Sequence, residues 1–313
     1  MAAEQSSRSV YYDHFGGPEV LQIGEVAMAP MGPDSVLVKV AGVGINPVDY
    51  KIAQGYLQGA IEINFPVVIG WDVAGEVLAV GPAITEFVPG DLVFGYARLD
   101  TVQHGTASET VVLPVRVLAP APTSIELVRA AAVPLTGLTA LQLTRRLEIQ
   151  SGETVLIHGA AGGVGQFVGQ LAKLAGARVI GTASTRNHDY LRTLGIEPVS
   201  YGPELVESVQ ALAGDGVDVV VDLVGAGSLD RSDAVTKAHA RVGSIADGDG
   251  AKARGGAYVF VRPSAVDLEY LAHLIDEGKL SVDLAQTFSF EDAAEAYREL
   301  EDRHVRGKIV LTP

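Results

Sequence analysis

The sequence predicts an α/β chain of two domains, a small β-barrel followed by a doubly wound parallel sheet. Three features carry that expectation. A buried strand, a glycine turn and a helix start follow one another in TVLIHGAAGGVGQ at 154–166. Strand-helix alternation continues from there to about Val261. Between Ser9 and Pro120 the chain instead shows short β-rich runs broken by Gly and Pro. With 313 residues and 48% hydrophobic side chains, each domain has material for a core.

Composition narrows the function. The chain has no cysteine, so disulfides, thiolate metal sites and a cysteine nucleophile are excluded. A net charge of −15 argues against nucleic acid and anionic membranes as partners, since both need a cationic surface. MAAEQSSRS at 1–9 has no apolar signal core, and the apolar runs are too short for a membrane span, so a soluble cytoplasmic protein is expected.

Taken in order, VLVKVAGV at 36–43, VAGEVLAV at 73–80 and DLVF at 91–94 read as barrel strands, with turns at GGP 16–18, GP 81–82 and VPGD 88–91. PAPTS at 120–124 is the expected hinge, giving a first domain of 1–121. Ser124 with Glu126 opens a helix that Pro134 ends, and Thr136 caps the next, which runs through Leu141 to Arg146. The sheet domain then occupies 122–262. The segment 263–313 holds a helix at 264–278, a second serine-capped helix at 289–302, and a closing strand at 308–311.

The glycine turn is a site for a dinucleotide pyrophosphate. Gly159, Gly162, Gly163 and Gly165 remove side chains that would keep backbone away from phosphate. Apolar residues from Phe167 to Ala175 recur at helical spacing, so unpaired N–H groups of Ala161, Gly162, Gly163 and Val164 face the turn. Ala160 stands where the usual fingerprint has glycine, and a packing turn is the competing reading. The strand context RVIG at 178–181 and DVVVDLV at 218–224 favours the nucleotide site.

The end of the second strand distinguishes the two nicotinamide cofactors. An acidic residue there would hold the ribose hydroxyl of NAD, but GTASTR at 181–186 offers Ser184, Thr185 and Arg186. Tyr201 adds a phenol after the next strand. This set suits a 2′-phosphate, hence NADPH. Two charge-assisted hydrogen bonds of about 1.5–3 kcal/mol each favour it over NADH by roughly a hundredfold or more. The alternative leaves Ser184 as the cap of a helix at 187–194 and Arg186 solvated.

These segments together resemble the medium-chain dehydrogenase/reductase superfamily, in its zinc-free quinone oxidoreductase and enone reductase branch. FGGPEVL at 15–21, GINPVDYK at 44–51, GWDVAG at 70–75, GDLVFG at 90–95, AVPLTGLTA at 132–140, the AAGGVG turn and GKIVL at 307–311 carry the likeness. The resemblance implies a GroES-like β-barrel domain, a Rossmann NADPH-binding domain, and a C-terminal segment returning to the barrel. It also implies a homodimer through an edge strand, here AYVFV at 257–261. Where zinc-dependent relatives carry a cysteine and a Gly-His-Glu set, this chain has Ile45-Asn46 and Gly70-Trp71-Asp72, so no metal is expected.

Hydride delivery to a quinone or an α,β-unsaturated carbonyl leaves negative charge on a substrate oxygen. Lys51, one turn after the Asn46-Pro47 helix start, is the candidate donor to that oxygen, as the family likeness also implies; a solvated lysine is the competing reading. Asn46 caps that helix and meets the nicotinamide or substrate, and Tyr50 lines the pocket or supplies a proton, with a packed aromatic as the competing reading. By the same resemblance Thr136 contacts the nicotinamide carboxamide. Val224 and Phe260 complete the cofactor set, with Trp71, Tyr56 and Phe260 as candidate apolar walls for which core packing is the competing reading. An NADPH-binding structural or regulatory protein without turnover is the alternative these residues leave open.

Overall fold

The computed structural model describes residues 5–302 and 305–313, so the first four residues of the stretch read for a signal core lie outside it. The chain divides into two compact units, Met1–Leu135 with Arg262–Pro313, and Thr136–Val261.

The first unit opens with β1 (Ser6–Tyr12), β2 (Gln22–Ala27), β3 (Ser35–Ile45), α1 (Pro47–Ala53), β4 (Glu62–Ile63) and β5 (Val67–Val68). It continues with β6 (Asp72–Val80), β7 (Leu92–Tyr96), β8 (Thr101–Val102), β9 (Thr110–Pro114), β10 (Leu118–Pro120) and α2 (Leu127–Ala130). In β3, Val36, Val38 and Val40 are buried while Lys39 faces solvent, the two-residue period of a half-buried strand. β6 pairs with β3 antiparallel at close range, and a Cβ on Gly75 would lie 2.2 Å from the Lys39 carbonyl oxygen.

The second unit is entered on α3 (Pro134–Arg146) and carries β11 (Thr154–His158), α4 (Gly163–Leu174), β12 (Arg178–Thr182), α5 (His188–Thr193), β13 (Glu197–Val199) and α6 (Leu205–Leu212). Then come β14 (Val217–Asp222), α7 (Ser228–Ser232), β15 (Thr236–Ser244), α8 (Gly248–Ala253) and β16 (Ala257–Tyr258). The strands run parallel in the order β13-β12-β11-β14-β15-β16. Counted along the chain this is the 3-2-1-4-5-6 order of a dinucleotide-binding sheet. Val155, Leu156 and Ile157 are fully buried, as are Val219, Val220 and Val221, because helices cover both faces of a parallel sheet.

The chain then returns to the first unit through α9 (Ala265–Asp276), β17 (Leu284–Ser289), α10 (Ala293–Glu301) and β18 (Lys308–Thr312). β18 pairs antiparallel with β3 and parallel with β17, so the C-terminal segment extends the barrel sheet. The Ser264 hydroxyl caps α9 by accepting the Asp267 N–H at 3.3 Å.

Several local expectations differ from the structure. The boundary expected at 121/122 falls after Leu135, because α2 packs on β3 and β6 and the Leu135 N–H donates to the buried Asp72 carboxylate at 2.7 Å. Pro134 begins α3 instead of ending a helix; at the first helical position its missing N–H costs nothing. Thr136 therefore lies inside the first turn and is not a cap. The alternative reading of Ser184 as a helix cap also fails, since it makes no side-chain cap and a short 3-10 turn at Thr185–Asn187 precedes α5. Ser289 donates to the Asp292 carboxylate at 2.7 Å, and another 3-10 turn, Phe290–Asp292, comes before α10. Of AYVFV, only Ala257–Tyr258 is strand, at the sheet edge as expected.

Leu156 fills the centre of the parallel sheet among Ile180, Val220 and Val242. Leu156→Ala should lower the stability of the second unit by about 2–5 kcal/mol. Urea unfolding followed by circular dichroism measures this, and a loss well under 1 kcal/mol would contradict the packing described.

Candidate functional site

In the second unit the glycine turn lies at the C-terminal end of β11, beside the point where the strand order reverses. Gly159 has φ +78, and a Cβ there would meet the Val224 side chain at 2.8 Å. Gly165 has no room for a side chain either, its Cβ position lying 2.3 Å from the Gly159 carbonyl oxygen. The turn is held from below: Thr182 Oγ1 accepts the Gly159 N–H at 3.0 Å, and the Thr182 carbonyl accepts the Ala160 N–H at 3.0 Å. α4 starts at Gly163 with Gly162 at its N-cap and no side-chain cap. A twelve-residue helix thus presents its positive end over a bare backbone bend. Ala161 is buried, while Gly162, Gly163 and Val164 are half-buried at the surface of the bend. These features fit a diphosphate.

The next strand end carries the groups expected to discriminate between the two cofactors. The Ala183 N–H donates to the Val199 carbonyl at 3.0 Å, tying the ends of β12 and β13 together. Ser184, Thr185 and Arg186 follow one end and Tyr201 the other; Arg186 is exposed and Tyr201 is 62% exposed. No acidic residue occurs between Arg178 and His188. Val224 and Phe260 are about half exposed, at 48% and 51%, whereas Thr136 is buried.

In the first unit, Asn46, Tyr50 and Lys51 come together on α1 and its first flank, with Lys51 exposed and Tyr50 buried. Asn46, expected to meet nicotinamide or substrate, is only 1% exposed. Its Oδ1 accepts from Lys308 Nζ at 2.5 Å, and its Nδ2 donates to Asp72 Oδ2 at 2.9 Å and to the Gly44 carbonyl at 3.3 Å. Lys308 Nζ also donates to the Ile45 carbonyl at 2.6 Å and lies 3.8 Å from Asp72 Oδ2. Asp49 Oδ2 accepts the Asn46 N–H at 2.7 Å. Trp71 is core, packed edge-on against Tyr96 with ring centroids 6.1 Å apart, while Tyr56 is 73% exposed.

This buried ionic cluster was not visible as a unit in the sequence. In the sequence Asp72 marks only the replacement of a metal ligand, and Lys308 belongs only to a terminal motif. Burial pushes the Asp49 carboxyl up to about 7, with the Asp72 charge adding to it and the Asn46 N–H opposing it. Burial likewise pushes Asp72 up to about 6 against the pull of Lys308 and Asn46, and pushes Lys308 down against the two carboxylates.

An alcohol dehydrogenase GroES-like domain model matches residues 32–123, and a zinc-binding dehydrogenase model matches residues 194–311. The NADPH-dependent alkenal/one oxidoreductase of Arabidopsis thaliana chloroplasts is 33% identical over 96% of this chain and 78% of its own length. The chain belongs to the medium-chain dehydrogenase/reductase superfamily. It is an oxidoreductase of that family, similar to the quinone oxidoreductase of Coxiella burnetii at 31% identity, TM-score 0.88, over 99% of this chain and 100% of the other. It is equally similar to a solved NAD-dependent alcohol dehydrogenase, at 32% identity, TM-score 0.89, over 98% and 99%.

The zinc named in the second description does not fit this member's residues. The carboxylate of Asp72 is spent on Asn46, the Leu135 N–H and Lys308, and an ammonium already sits among these donors. Among the described residues no group of three or more His, Cys, Asp or Glu side chains is placed to hold a metal ion.

A carboxyl whose pKa is higher folded than unfolded binds extra protons in the folded state, so its contribution to stability falls as pH rises. For Asp49 the window runs from about 4, the unfolded value, to about 7. Across it the wild type should lose stability relative to Asp49→Asn. Urea unfolding of both proteins at several pH values tests this; a difference constant or growing with pH would contradict the placement of Asp49.

Proposed function

We propose that this enzyme transfers hydride from NADPH to a quinone or an α,β-unsaturated carbonyl, without zinc and as a homodimer. The observation that carries the reading is the uncapped start of α4 over the glycine bend, with Ser184 and Arg186 at the neighbouring strand end and no carboxylate beside them. The alkenal/one reductase likeness supports the same cofactor and acceptor class. The edge strand β16 is the surface offered to a second copy.

Bound NADPH would supply the hydride. The backbone N–H groups at Ala161, Gly163 and Val164 hold its diphosphate, whereas the Gly162 N–H, expected among them, already donates to the Gly159 carbonyl at 3.1 Å; Arg186 with Ser184 and Tyr201 takes the 2′-phosphate. Thr136, Val224 and Phe260 complete the cofactor contacts. Lys51, exposed on α1, donates a hydrogen bond to the substrate oxygen as charge builds there. Asn46 acts through Asp72 and Lys308, fixing the start of α1 so that Lys51 is presented in one orientation. Tyr50, buried on the same helix, serves as part of the wall.

Consumption of NADPH with an enone, an alkenal and two quinones tests the activity, and binding without turnover on every acceptor would overturn it. Arg186→Ala should raise KM for NADPH by roughly tenfold to a hundredfold, the loss of a charge-assisted hydrogen bond, and leave KM for NADH nearly unchanged. Equal losses for both cofactors would refute the assignment of the 2′-phosphate. Lys51→Ala should lower kcat on an enone by about a hundredfold to a thousandfold, and full turnover would remove Lys51 from the mechanism.

A further inference from the structure

At the C-terminal ends of three neighbouring strands, His158 of β11, Asp222 of β14 and Ser244 of β15 stand side by side in register. All three are buried, at 3%, 0% and 0% exposure. Strand and core packing alone do not call for a row of polar side chains there, and each must find partners. They find them in one another, in the loops that follow β14 and β15, and on α7.

Asp222 Oδ1 accepts the Val224 N–H at 3.0 Å, the Gly225 N–H at 2.8 Å and the Ser228 hydroxyl at 2.6 Å. Its Oδ2 accepts the Ser244 hydroxyl at 2.6 Å. Ser244 Oγ in turn accepts the Ala246 N–H at 2.9 Å and the Asp247 N–H at 2.7 Å. One carboxylate therefore joins the loop after β14 to the loop after β15. Burial pushes the Asp222 carboxyl up, and its donors, Ser228 and Ser244 foremost, more than offset this and keep it an anion. The Ser232 hydroxyl donates to the Ser228 carbonyl at 3.0 Å, which leaves His158 Nε2–H as the donor in its 2.6 Å contact with Ser232 Oγ. Burial lowers the His158 pKa to about 4, consistent with a neutral ring bracing α7 against β11.

The loop that Asp222 holds bears on the glycine bend, since Val224 is the side chain a Cβ on Gly159 would strike. β11 and β14 also flank the reversal of strand order, where ligands of such sheets bind. We propose that Asp222 is a positioning residue for the dinucleotide: its two oxygens lock the loops after β14 and β15 in the arrangement that keeps Val224 beside the Gly159 bend. This rests on the reading of the second unit as the NADPH-binding half.

The chemistry supplies a selective test. Asp222→Asn keeps the volume and one acceptor but turns the other oxygen into a donor. Ser244 Oγ already receives two N–H groups, so that donor meets no lone pair and the link to the β15 loop is cut. Fluorescence titration with NADPH should show at least a tenfold rise in Kd for Asp222→Asn and a rise for Ser244→Ala. The double variant should bind no more weakly than the weaker single one, since both changes break one connection. Leu205→Ala, a truncation in the core on α6, should lower the melting temperature and leave Kd unchanged. If Asp222→Asn does not fold, Ser244→Ala carries the same prediction. Variants that bind as the wild type does, additive losses, or an equal loss of affinity in Leu205→Ala would overturn the inference while the cofactor assignment stands. A wild type that ignores NADPH would overturn both.

Discussion

The second unit is built around backbone N–H groups that a helix cannot satisfy for itself. The first turn of any α-helix leaves donors without intrahelical acceptors, and a side-chain cap commonly takes one of them. In α4 no side chain does, and glycines at 159, 162, 163 and 165 keep the approach to those donors open. A parallel sheet is what places this helix start: β11 delivers the chain to the bend, α4 carries it away, and the neighbouring strand ends converge on the same edge. A helix start of this kind can receive an anion with no basic residue in the bend, which matters in a chain of net charge −15.

The first unit solves a different problem. Two carboxylates and an ammonium are buried together, where desolvation alone would cost several kcal/mol per ion. Hydrogen bonds from Asn46 and Leu135 to Asp72, and from Lys308 to Asn46 and Ile45, hold the cluster together. The strand that closes the barrel sheet, β18, brings the lysine to the start of α1, so the C-terminal segment takes part directly in shaping the candidate catalytic face. Such a cluster is weak evidence for added stability, but it specifies one arrangement of the chain around Asn46.

Much of this was legible in the sequence wherever the signal was local. The glycines of the bend, a serine that caps α9, and β-branched runs in β11 and β14 each declare themselves within a few residues. Pro134 misled because proline is equally at home just after one helix and at the first position of the next, and only tertiary packing decides. Ser289 misled because a short 3-10 turn intervenes between it and α10, where the sequence suggests an α-helical cap. The Asp72–Asn46–Lys308 cluster was illegible for another reason. Its members come from β6, the flank of β3 and β18, and nothing in the spacing of single charged residues announces that a sheet will bring them within hydrogen-bond reach. Asp222 was read as strand, since its role depends on loops that no periodicity describes.

Amide hydrogen exchange of the intact protein, with and without saturating NADPH, tests the central claim most directly. Diphosphate gripped by the start of α4 predicts that the nucleotide slows exchange at Ala161, Gly163 and Val164, at the surface of the bend, with a second region of slowing at 183–186. No slowing at the bend, or protection confined to other parts of the chain, would contradict it.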